Sequence, residues 1–213
     1  MKLCIISDTH TKHKFLNYDL KSLEADVIIH CGDITGNGGI KAIEEFMNWF
    51  SKLEQFKHKI VIAGNHDWLF ERSNLRAREV VPENVNYLED EEIIIDGIKF
   101  YGTPVQKHFN NWAFNRSEAK MAQHWAAIPD DTDVVITHSP PYGIGDYVPW
   151  NGNSHGSPSL YMEMVKRVRP KIHCFGHIHE GYGIKIIDDI TFINASNLDG
   201  QYQCINEPII IKI

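Results

Sequence analysis

The chain has 213 residues, with 21 lysine and arginine residues against 28 aspartate and glutamate residues, and a net charge of −7. This length gives a single domain, spanning residues 1–213, ample surface to bury in a core. The acidic balance argues against a long nucleic acid as partner, because affinity for polyanions depends mainly on lysine and arginine. No apolar run approaches membrane-spanning length and no leader precedes the first strand, so neither a membrane nor secretion is expected.

The four cysteines show no CxxC spacing. Cys4, Cys31 and Cys174 lie within apolar runs that are predicted to be strands, and only Cys204 does not. Buried reduced thiols are therefore expected, in preference to disulfides or a zinc site. Reduced thiols are typical of a reducing compartment, so a cytoplasmic location is expected.

Hydrophobic periodicity predicts strands that alternate with helices, followed by hairpins. From Ile40 to Leu53, apolar residues recur at helical spacing and predict an amphipathic helix. Asp96-Gly97 is a strong signal for a two-residue hairpin turn. The elements predicted beyond the first helix are, in chain order, a hairpin over 91–102, a helix over 116–127, a helix that starts at Ser157-Pro158 and ends before Pro170, a hairpin over roughly 183–195 that turns at Asp188-Asp189, and a final strand PIIIKI.

Five short apolar runs are each followed directly by residues that bind metal ions. An apolar run of this length, stopped by glycine and polar residues, is typical of a buried strand that ends in a loop. If the strands lie side by side in one sheet, their carboxyl ends bring these side chains to one edge, where open α/β sheets bind ligands. The runs are 3–7 before Asp8-Thr9-His10, 27–31 before Gly32-Asp33, 60–63 before Gly64-Asn65-His66-Asp67, 134–137 before His138, and 172–175 before Gly176-His177-Ile178-His179.

Each of these positions also has an ordinary structural interpretation. A single histidine after a strand is usually a hydrogen-bonded structural residue, and aspartate or asparagine there commonly forms a turn. Those interpretations do not explain the order, the glycines and the strand ends together. The ordinary interpretation is preferred for the remaining histidines, with His13, His58, His124 and His155 expected in solvent, His30 and His173 within strands, and His108 undecided.

The ordered pattern D-x-H, G-D, G-N-H-[DE], H and G-H-x-H resembles the calcineurin-like metallophosphoesterase superfamily. The matching motifs span residues 8–179, which is most of the chain. Within the superfamily, the segments 62–66 and 175–183 are most similar to the metallophosphoesterase-domain-containing proteins, which are themselves similar to class III cyclic-nucleotide phosphodiesterases. The resemblance implies an α/β fold, a four-layer αββα sandwich of two mixed sheets flanked by helices.

The resemblance also implies two divalent metal ions that share one carboxylate, Asp33. Carried over residue by residue, Asp8, His10, Asp33 and His179 would hold one ion, and Asp33, Asn65, His138 and His177 the other. Imidazole and carboxylate ligands together suit Mn, Fe, Zn, Co or Ni. Mn is the first choice, and Mg is a further alternative. Such a pair lowers the pKa of a bridging water, so that a hydroxide attacks the phosphate.

His66 is the histidine of the third motif that is not carried over as a ligand. The resemblance implies that it lies beside the phosphate and either acts as general acid on the leaving oxygen or stabilises the charge of that oxygen. Asp67 either orients His66 or is a structural cap, and both alternatives stay open on the sequence.

Residues 139–158 form a long loop with four glycines and four prolines, directly after His138. A loop of this size in a compact domain is often functional, and this one is expected to overhang the site. Core packing is the ordinary role of an aromatic residue, but those in this loop and in 102–115 are also candidates to stack on a nucleobase. The candidates are Phe109, Trp112, Phe114, Tyr147 and Trp150, with Asn65 as a further candidate for substrate binding.

The sequence therefore predicts a metal-dependent phosphodiesterase that acts on small phosphodiesters, with 2′,3′- and 3′,5′-cyclic nucleotides among the candidates. Asp33 is followed by Ile-Thr-Gly-Asn-Gly, without the Val-Asp-Arg-Gly sequence of metal-dependent Ser/Thr protein phosphatases, which disfavours a protein phosphatase. The alternatives are a phosphomonoesterase, a nuclease for short oligonucleotides, or a non-catalytic interaction module of the same fold. The sequence leaves open whether the protein is a monomer or a homodimer.

Overall fold

The computed structural model describes residues 1–16 and 20–213. Its α-helices are α1 (Ile40–Ser51), α2 (Trp68–Arg72), α3 (Asn74–Arg78), α4 (Glu118–Ala126) and α5 (Pro158–Met162). The strands are β1 (Lys2–Ile6), β2 (Val27–His30), β3 (His58–Val61), β4 (Asn86–Tyr87), β5 (Glu91–Ile95), β6 (Ile98–Thr103), β7 (Gln106–Lys107), β8 (Asn115–Arg116), β9 (Val134–Thr137), β10 (Tyr147–Val148), β11 (Asn153–Ser154), β12 (Ile172–Phe175), β13 (Gly183–Ile187), β14 (Ile190–Asn194) and β15 (Ile209–Lys212). Short 3₁₀ segments lie at His13–Phe15, Leu20–Ser22 and His179–Gly181, and a π-helix at Glu163–Val168.

Two large mixed sheets form the centre of the molecule. The first has the order β15-β1-β2-β3-β4, and the second β13-β14-β12-β9-β6-β5. The central strands of each sheet run parallel, and antiparallel strands close the β15 edge of the first sheet and both edges of the second. Two further pairs, β7 with β8 and β10 with β11, lie outside these sheets.

Alternating side chains divide the molecule into four layers. On β1, Leu3 and Ile5 belong to the core between the two sheets, whereas Cys4 and Ile6 belong to the core beneath α1. This follows from the period of two in a strand, which sends successive side chains to opposite faces. A third apolar cluster packs Trp125 of α4 and other helical residues onto the outer face of the second sheet. The predicted αββα sandwich is confirmed.

The first helix covers the first sheet through one apolar face. Ile43, Phe46, Met47 and Phe50 are all buried. The helix ends at Ser51 and not at Leu53 as predicted, but Leu53 still packs into the same cluster from the turn that follows.

The predicted helix start at Ser157-Pro158 is confirmed, because the Ser157 side chain accepts a hydrogen bond from the Leu160 amide. Beyond Met162 the helix widens into the π-helical turn Glu163–Val168. It stops at Arg169, whose amide bonds to the carbonyl of Met164 and whose φ is +47°, directly before Pro170. Proline lacks the amide hydrogen that a further turn requires.

Both predicted hairpins are present. β5 and β6 turn at Asp96 and Gly97, and β13 and β14 turn at Asp188 and Asp189. All four turn residues have positive φ, as a two-residue turn of this hand requires. The last strand is β15, as predicted for the segment PIIIKI. Of the helices that the structure describes, none combines the length and the hydrophobicity of a membrane span.

The five strands that precede the motifs do not lie in a single sheet. β1, β2 and β3 belong to the first sheet, and β9 and β12 to the second. The sheets meet at their carboxyl ends, where Ser7, after β1, forms a bridge with Ser196, after β14. The Asn197 amide donates to the carbonyl of Ser7 over 3.0 Å. The five motifs therefore meet at an edge that both sheets share, and not at the edge of a single sheet as the sequence predicted.

Candidate metal centre

The structure brings all seven predicted metal ligands together at this shared edge. They are Asp8, His10, Asp33, Asn65, His138, His177 and His179. Asp8 and Asp33 are buried, as are the imidazoles of His10, His138 and His179. Groups of three donor atoms within 4.8 Å of one another are formed by Asp8/His10/His179, by His10/Asp33/His66 and by Asp33/His138/His177.

The first predicted ion position lies among Asp8, His10 and His179. His179 Nε2 is 3.5 Å from Asp8 Oδ1, and His10 Nε2 is 4.0 Å from the same oxygen. The two Nε2 atoms face each other at 3.4 Å. Nitrogen donors this close to each other and to a carboxylate can share a proton or hold a metal ion.

Asp33 lies between the two predicted positions. Its Oδ2 atom is 3.7 Å from His10 Nε2 and 3.4 Å from His138 Nε2. On the far side, His138 Nε2 contacts Asn65 Oδ1 at 2.9 Å, and the His138 and His177 rings are 5.0 Å apart. One carboxylate thus reaches both donor groups.

The pKa values of the four donor histidines divide into two pairs. Burial lowers the pKa of His10 to about 4 and that of His177 to about 3. Burial lowers the pKa of His138 and of His179, but contact with Asp33 and with Asp8, respectively, outweighs it and raises each pKa to about 9. Burial raises the pKa of Asp33, but the charge of His138 holds it well below its usual range. Ionised carboxylates facing imidazole nitrogens are the donor set that a divalent transition metal binds, so the residues fit such ions.

Outer hydrogen bonds orient the donors. His138 donates from Nδ1 to the carbonyl of Cys31, and His179 donates from Nδ1 to the carbonyl of Asp199, each over 2.9 Å. Both bonds leave Nε2 facing the cluster. Asp8 Oδ2 accepts from the Ser196 hydroxyl at 2.8 Å. Partners of this kind fix the tautomer and direction of metal-binding histidines.

Two motif glycines leave room for the carboxylates. A Cβ atom at Gly176 would overlap Asp8 Oδ2, and a Cβ atom at Gly64 would overlap Asp33 Oδ1. Glycine is required here by the close approach of the side chain to the backbone.

Four of the seven predicted ligands have a left-handed backbone. The φ angles are +53° at Asp8, +41° at His10, +55° at Asp33 and +70° at His177. Non-glycine residues adopt this conformation at a cost, and such residues cluster at functional sites.

His66 lies at the edge of the cluster. Its Nδ1 donates to the carbonyl of Gly36 over 2.6 Å, which leaves Nε2 facing Asp33 Oδ2 at 3.9 Å. The Trp112 indole lies against the imidazole, with ring centroids 4.1 Å apart. The geometry also admits His66 as a donor beside His10 and Asp33, which the sequence pattern did not indicate.

Asp67 does not face His66. Its buried carboxylate accepts from the amides of Ile34, Thr35 and Gly64 and from the Thr35 hydroxyl, over 2.8–3.1 Å. These bonds tie the loop after β2 to the loop after β3. The geometry therefore supports a structural role for Asp67. His66 is oriented instead by its own hydrogen bond to the Gly36 carbonyl.

A cavity of about 380 Å³ opens above the cluster. Phe109, Trp112 and Trp150, three of the candidates to stack on a nucleobase, line it. Tyr147 does not belong to the lining, because β10 directs its side chain to solvent with 53% exposed. Phe114 is buried in the core beneath α1 and is not available to a ligand.

Sequence reasoning missed Tyr202. Its ring centroid lies 5.1 Å from that of His10 and 4.9 Å from that of His179, and it lines the cavity. Tyr202 follows no strand and belongs to no motif, so no local pattern indicates it.

The expectation that His13 is solvated was wrong, because it is buried against Phe46 and Trp49. His155 is partly exposed and lines the cavity.

Comparison with known proteins gives a consistent assignment. The model of the calcineurin-like phosphoesterase family matches residues 1–181. The chain is 34% identical over 232 residues to human metallophosphoesterase domain-containing protein 1, which covers 98% of this chain and 69% of that protein. It is 35% identical over 232 residues to a UPF0046 protein of Caenorhabditis elegans, covering 100% and 81%.

A solved crystal structure superimposes with a TM-score of 0.74 at 17% identity, covering 99% of this chain and 98% of that one, which supports the fold. The family match and the relatives extend over the donor cluster and its motifs. The chain belongs to the calcineurin-like phosphoesterase family.

Proposed function

We propose that the protein is a phosphodiesterase that uses two divalent metal ions to hydrolyse small phosphodiesters, cyclic nucleotides with a 2′,3′- or 3′,5′-linkage among them. The observation that carries this proposal is the position of Asp33 between two groups of donors, at the floor of a cavity that His66 also lines. Bound there, the ions would supply an ionised water as nucleophile and offset the charge that develops on the phosphate. Mn²⁺ is the first choice.

His66 is the candidate general acid. Its Nδ1–H donates to the Gly36 carbonyl, so Nε2, which faces the cluster, is the nitrogen from which the imidazolium would transfer a proton. The Trp112 ring restricts rotation of the imidazole. A proton delivered from Nε2 to the leaving oxygen removes the need to expel an alkoxide.

The cavity supports a small organic substrate. Its volume of about 380 Å³ is in the range of small-molecule sites. Exposed aromatic rings on its wall, Trp150 above all, offer faces on which a base can stack. The acidic net charge makes a long nucleic acid a poor partner.

The test is hydrolysis of bis(p-nitrophenyl) phosphate by protein supplied with Mn²⁺, compared with p-nitrophenyl phosphate and with 2′,3′- and 3′,5′-cyclic AMP. We expect the diester to be turned over faster than the monoester and at least one cyclic nucleotide to be hydrolysed. Turnover of the monoester alone would replace a phosphodiesterase by a phosphomonoesterase. No turnover with any of the metals Mn²⁺, Fe²⁺, Co²⁺, Ni²⁺, Zn²⁺ or Mg²⁺ would support a non-catalytic module.

A further inference from the structure

The wall of the cavity carries cationic and titratable side chains that neither the ion positions nor His66 uses. Lys107, His108 and His155 all line it. Lys107 is the one lysine or arginine among the lining residues, and the two histidines are further nitrogen donors beside it. Positive groups beside a cleft attract anionic ligands.

Lys107 faces the cavity because of its place in β7. In this two-residue strand Gln106 is buried and Lys107 is exposed, as alternation along a strand requires. Within the part of the chain that the structure describes, the side chain of Lys107 makes no ion pair or hydrogen bond. By contrast, four other lysines pair with carboxylates, namely Lys14, Lys57, Lys99 and Lys171. The charge of Lys107 is therefore available to a ligand.

The backbone that carries Lys107 is anchored. Asn115 Oδ1 accepts from Gln106 Nε2 at 2.9 Å and from the Phe109 amide at 3.3 Å, and the His108 amide donates to the Arg116 carbonyl at 3.0 Å. These bonds fix the residues on both sides of Lys107. A ligand that binds there therefore has to order the Lys107 side chain only, because the loop is already ordered. This lowers the entropic cost of binding.

The loop after His138 supplies the second part of this wall. The His155 amide donates to the Asp146 carbonyl at 3.0 Å, and the His155 ring contacts the Asn151 side chain at 3.0 Å. Asp146 in turn accepts from the Gly156 amide at 2.9 Å. His155 and Asn151 thus line the cavity from an ordered hairpin, with His155 Nε2 in contact with the Asn151 side chain.

We propose that Lys107, with His108 and His155, forms a subsite for a second anionic group of the substrate. This inference rests on the proposed function, in which the first phosphate lies over the donor cluster. The substrate class is then a phosphodiester that carries a second, terminal phosphate, such as a 2′,3′-cyclic nucleotide with a 5′-phosphate, whose hydrolysis leaves a nucleotide with two phosphate monoesters. The aromatic residues Phe109 and Trp150 line the same cavity and would contact its body. Glu180 is the one acidic lining residue outside the donor cluster, and it weakens the subsite.

The experiment measures binding by titration calorimetry on the Mn²⁺-loaded protein, with AMP and adenosine 3′,5′-bisphosphate as ligands. We expect the bisphosphate to bind about 10-fold more tightly, which corresponds to about 1.4 kcal/mol. Lys107→Met should reduce this ratio to about twofold or less, because it removes the charge and keeps the length. Lys107→Arg should preserve the ratio, and so should Lys166→Met, which removes an exposed lysine from the outer helical layer. Raising the ionic strength should shrink the ratio in the wild type.

Three results would overturn the subsite. The first is equal affinity of the wild type for the two ligands, and the second is an unchanged ratio of the two affinities in Lys107→Met. The third is an equal loss of affinity for both ligands in Lys107→Met, which would mean that Lys107 holds the loop. None of these depends on turnover. Failure of the subsite is therefore separate from failure of the phosphodiesterase proposal, which the hydrolysis of bis(p-nitrophenyl) phosphate decides.

Discussion

The imidazole of His66 lies against the indole of Trp112, with their ring centroids 4.1 Å apart and their planes inclined by 32°. Together with the bond from Nδ1 to the Gly36 carbonyl, this contact holds Nε2 toward Asp33. The imidazole is thus fixed by one polar contact and one packing contact. A group held in this way can deliver a proton without first being ordered by the substrate.

Replacement of His66 by alanine should lower kcat by about 10²–10⁴, the usual contribution of a positioned acid. Metal content, measured by inductively coupled plasma mass spectrometry, should stay at the wild-type level if His66 is not a ligand. The loss should be smaller for a p-nitrophenol leaving group than for the ribose alkoxide of a cyclic nucleotide, because p-nitrophenolate needs less protonation. Equal losses for both substrates would contradict a general acid. A loss of metal would make His66 a ligand, as its proximity to His10 and Asp33 allows.

Replacement of Gly176 by alanine should displace the carboxylate of Asp8 and the side chain of Ser7, because the new Cβ atom overlaps Asp8 Oδ2 and Ser7 Oγ. We expect the affinity for Mn²⁺ to fall by about 10- to 100-fold, as it does when groups that orient ligands are lost. Gly39→Ala is the matched control, since a Cβ atom there would lie 3.9 Å from Asn37 Oδ1, in ordinary contact. Calorimetric titration with Mn²⁺ measures both. An unchanged affinity for Mn²⁺ in Gly176→Ala would show that metal binding does not depend on the observed position of the Asp8 carboxylate.

Replacement of Trp150 by alanine should raise KM for cyclic AMP by roughly 5- to 150-fold, from the 1–3 kcal/mol that stacking of one base contributes. Bis(p-nitrophenyl) phosphate should be much less affected. Tyr147→Ala is the control, because Tyr147 is an exposed aromatic residue of the same loop outside the cavity lining. Similar changes in the two variants, or the same change for both substrates, would count against a stacking wall.

The stability of the metal-free protein should fall as the pH drops below about 6.5, in part because of His173. Burial lowers the pKa of His173 to about 3, whereas in the unfolded chain it is about 6.5. Between these values the unfolded chain binds a proton that the folded protein does not, so the stability present above pH 6.5 is progressively lost. Urea unfolding in a chelator, from pH 7.5 to 4.5, measures this loss.

His173→Gln should reduce the slope of the free energy of unfolding against pH by up to about 1.4 kcal/mol per pH unit, the contribution of one proton. At pH 7.5 and above, both proteins should show the same slope. An identical slope in the acid range would mean that His173 takes up its proton in the folded state.

The elements that local pattern specifies were predicted well. Ser157 and Pro158 mark a helix start by their own chemistry, and Asp96 and Gly97 mark a turn, so both could be read without tertiary information. The π-helical turn after Met162 has no such local signal. The division of the five strands between the two sheets depends on which strands pair, and strand pairing is not specified by local pattern.

The donor residues could be predicted because motif and strand end coincide at each of them. Asp67 could be named but its role could not, since its partners Ile34 and Thr35 come from a different loop. Tyr202 was missed because the residues that it contacts are distant from it in the chain. His10 lies nearly 200 residues before Tyr202, and His179 lies more than 20 residues before it. Such contacts depend on the folded arrangement and not on local composition.

Titration of the metal-free protein with Mn²⁺, followed by the rate of bis(p-nitrophenyl) phosphate hydrolysis, tests the central claim most directly. If Asp33 is shared by two ions and both are needed, activity should rise until about two equivalents are bound per chain. Asp33→Ala should bind neither ion tightly and should stay inactive throughout the titration. Maximal activity with one equivalent, or in Asp33→Ala, would contradict a dinuclear centre built on Asp33.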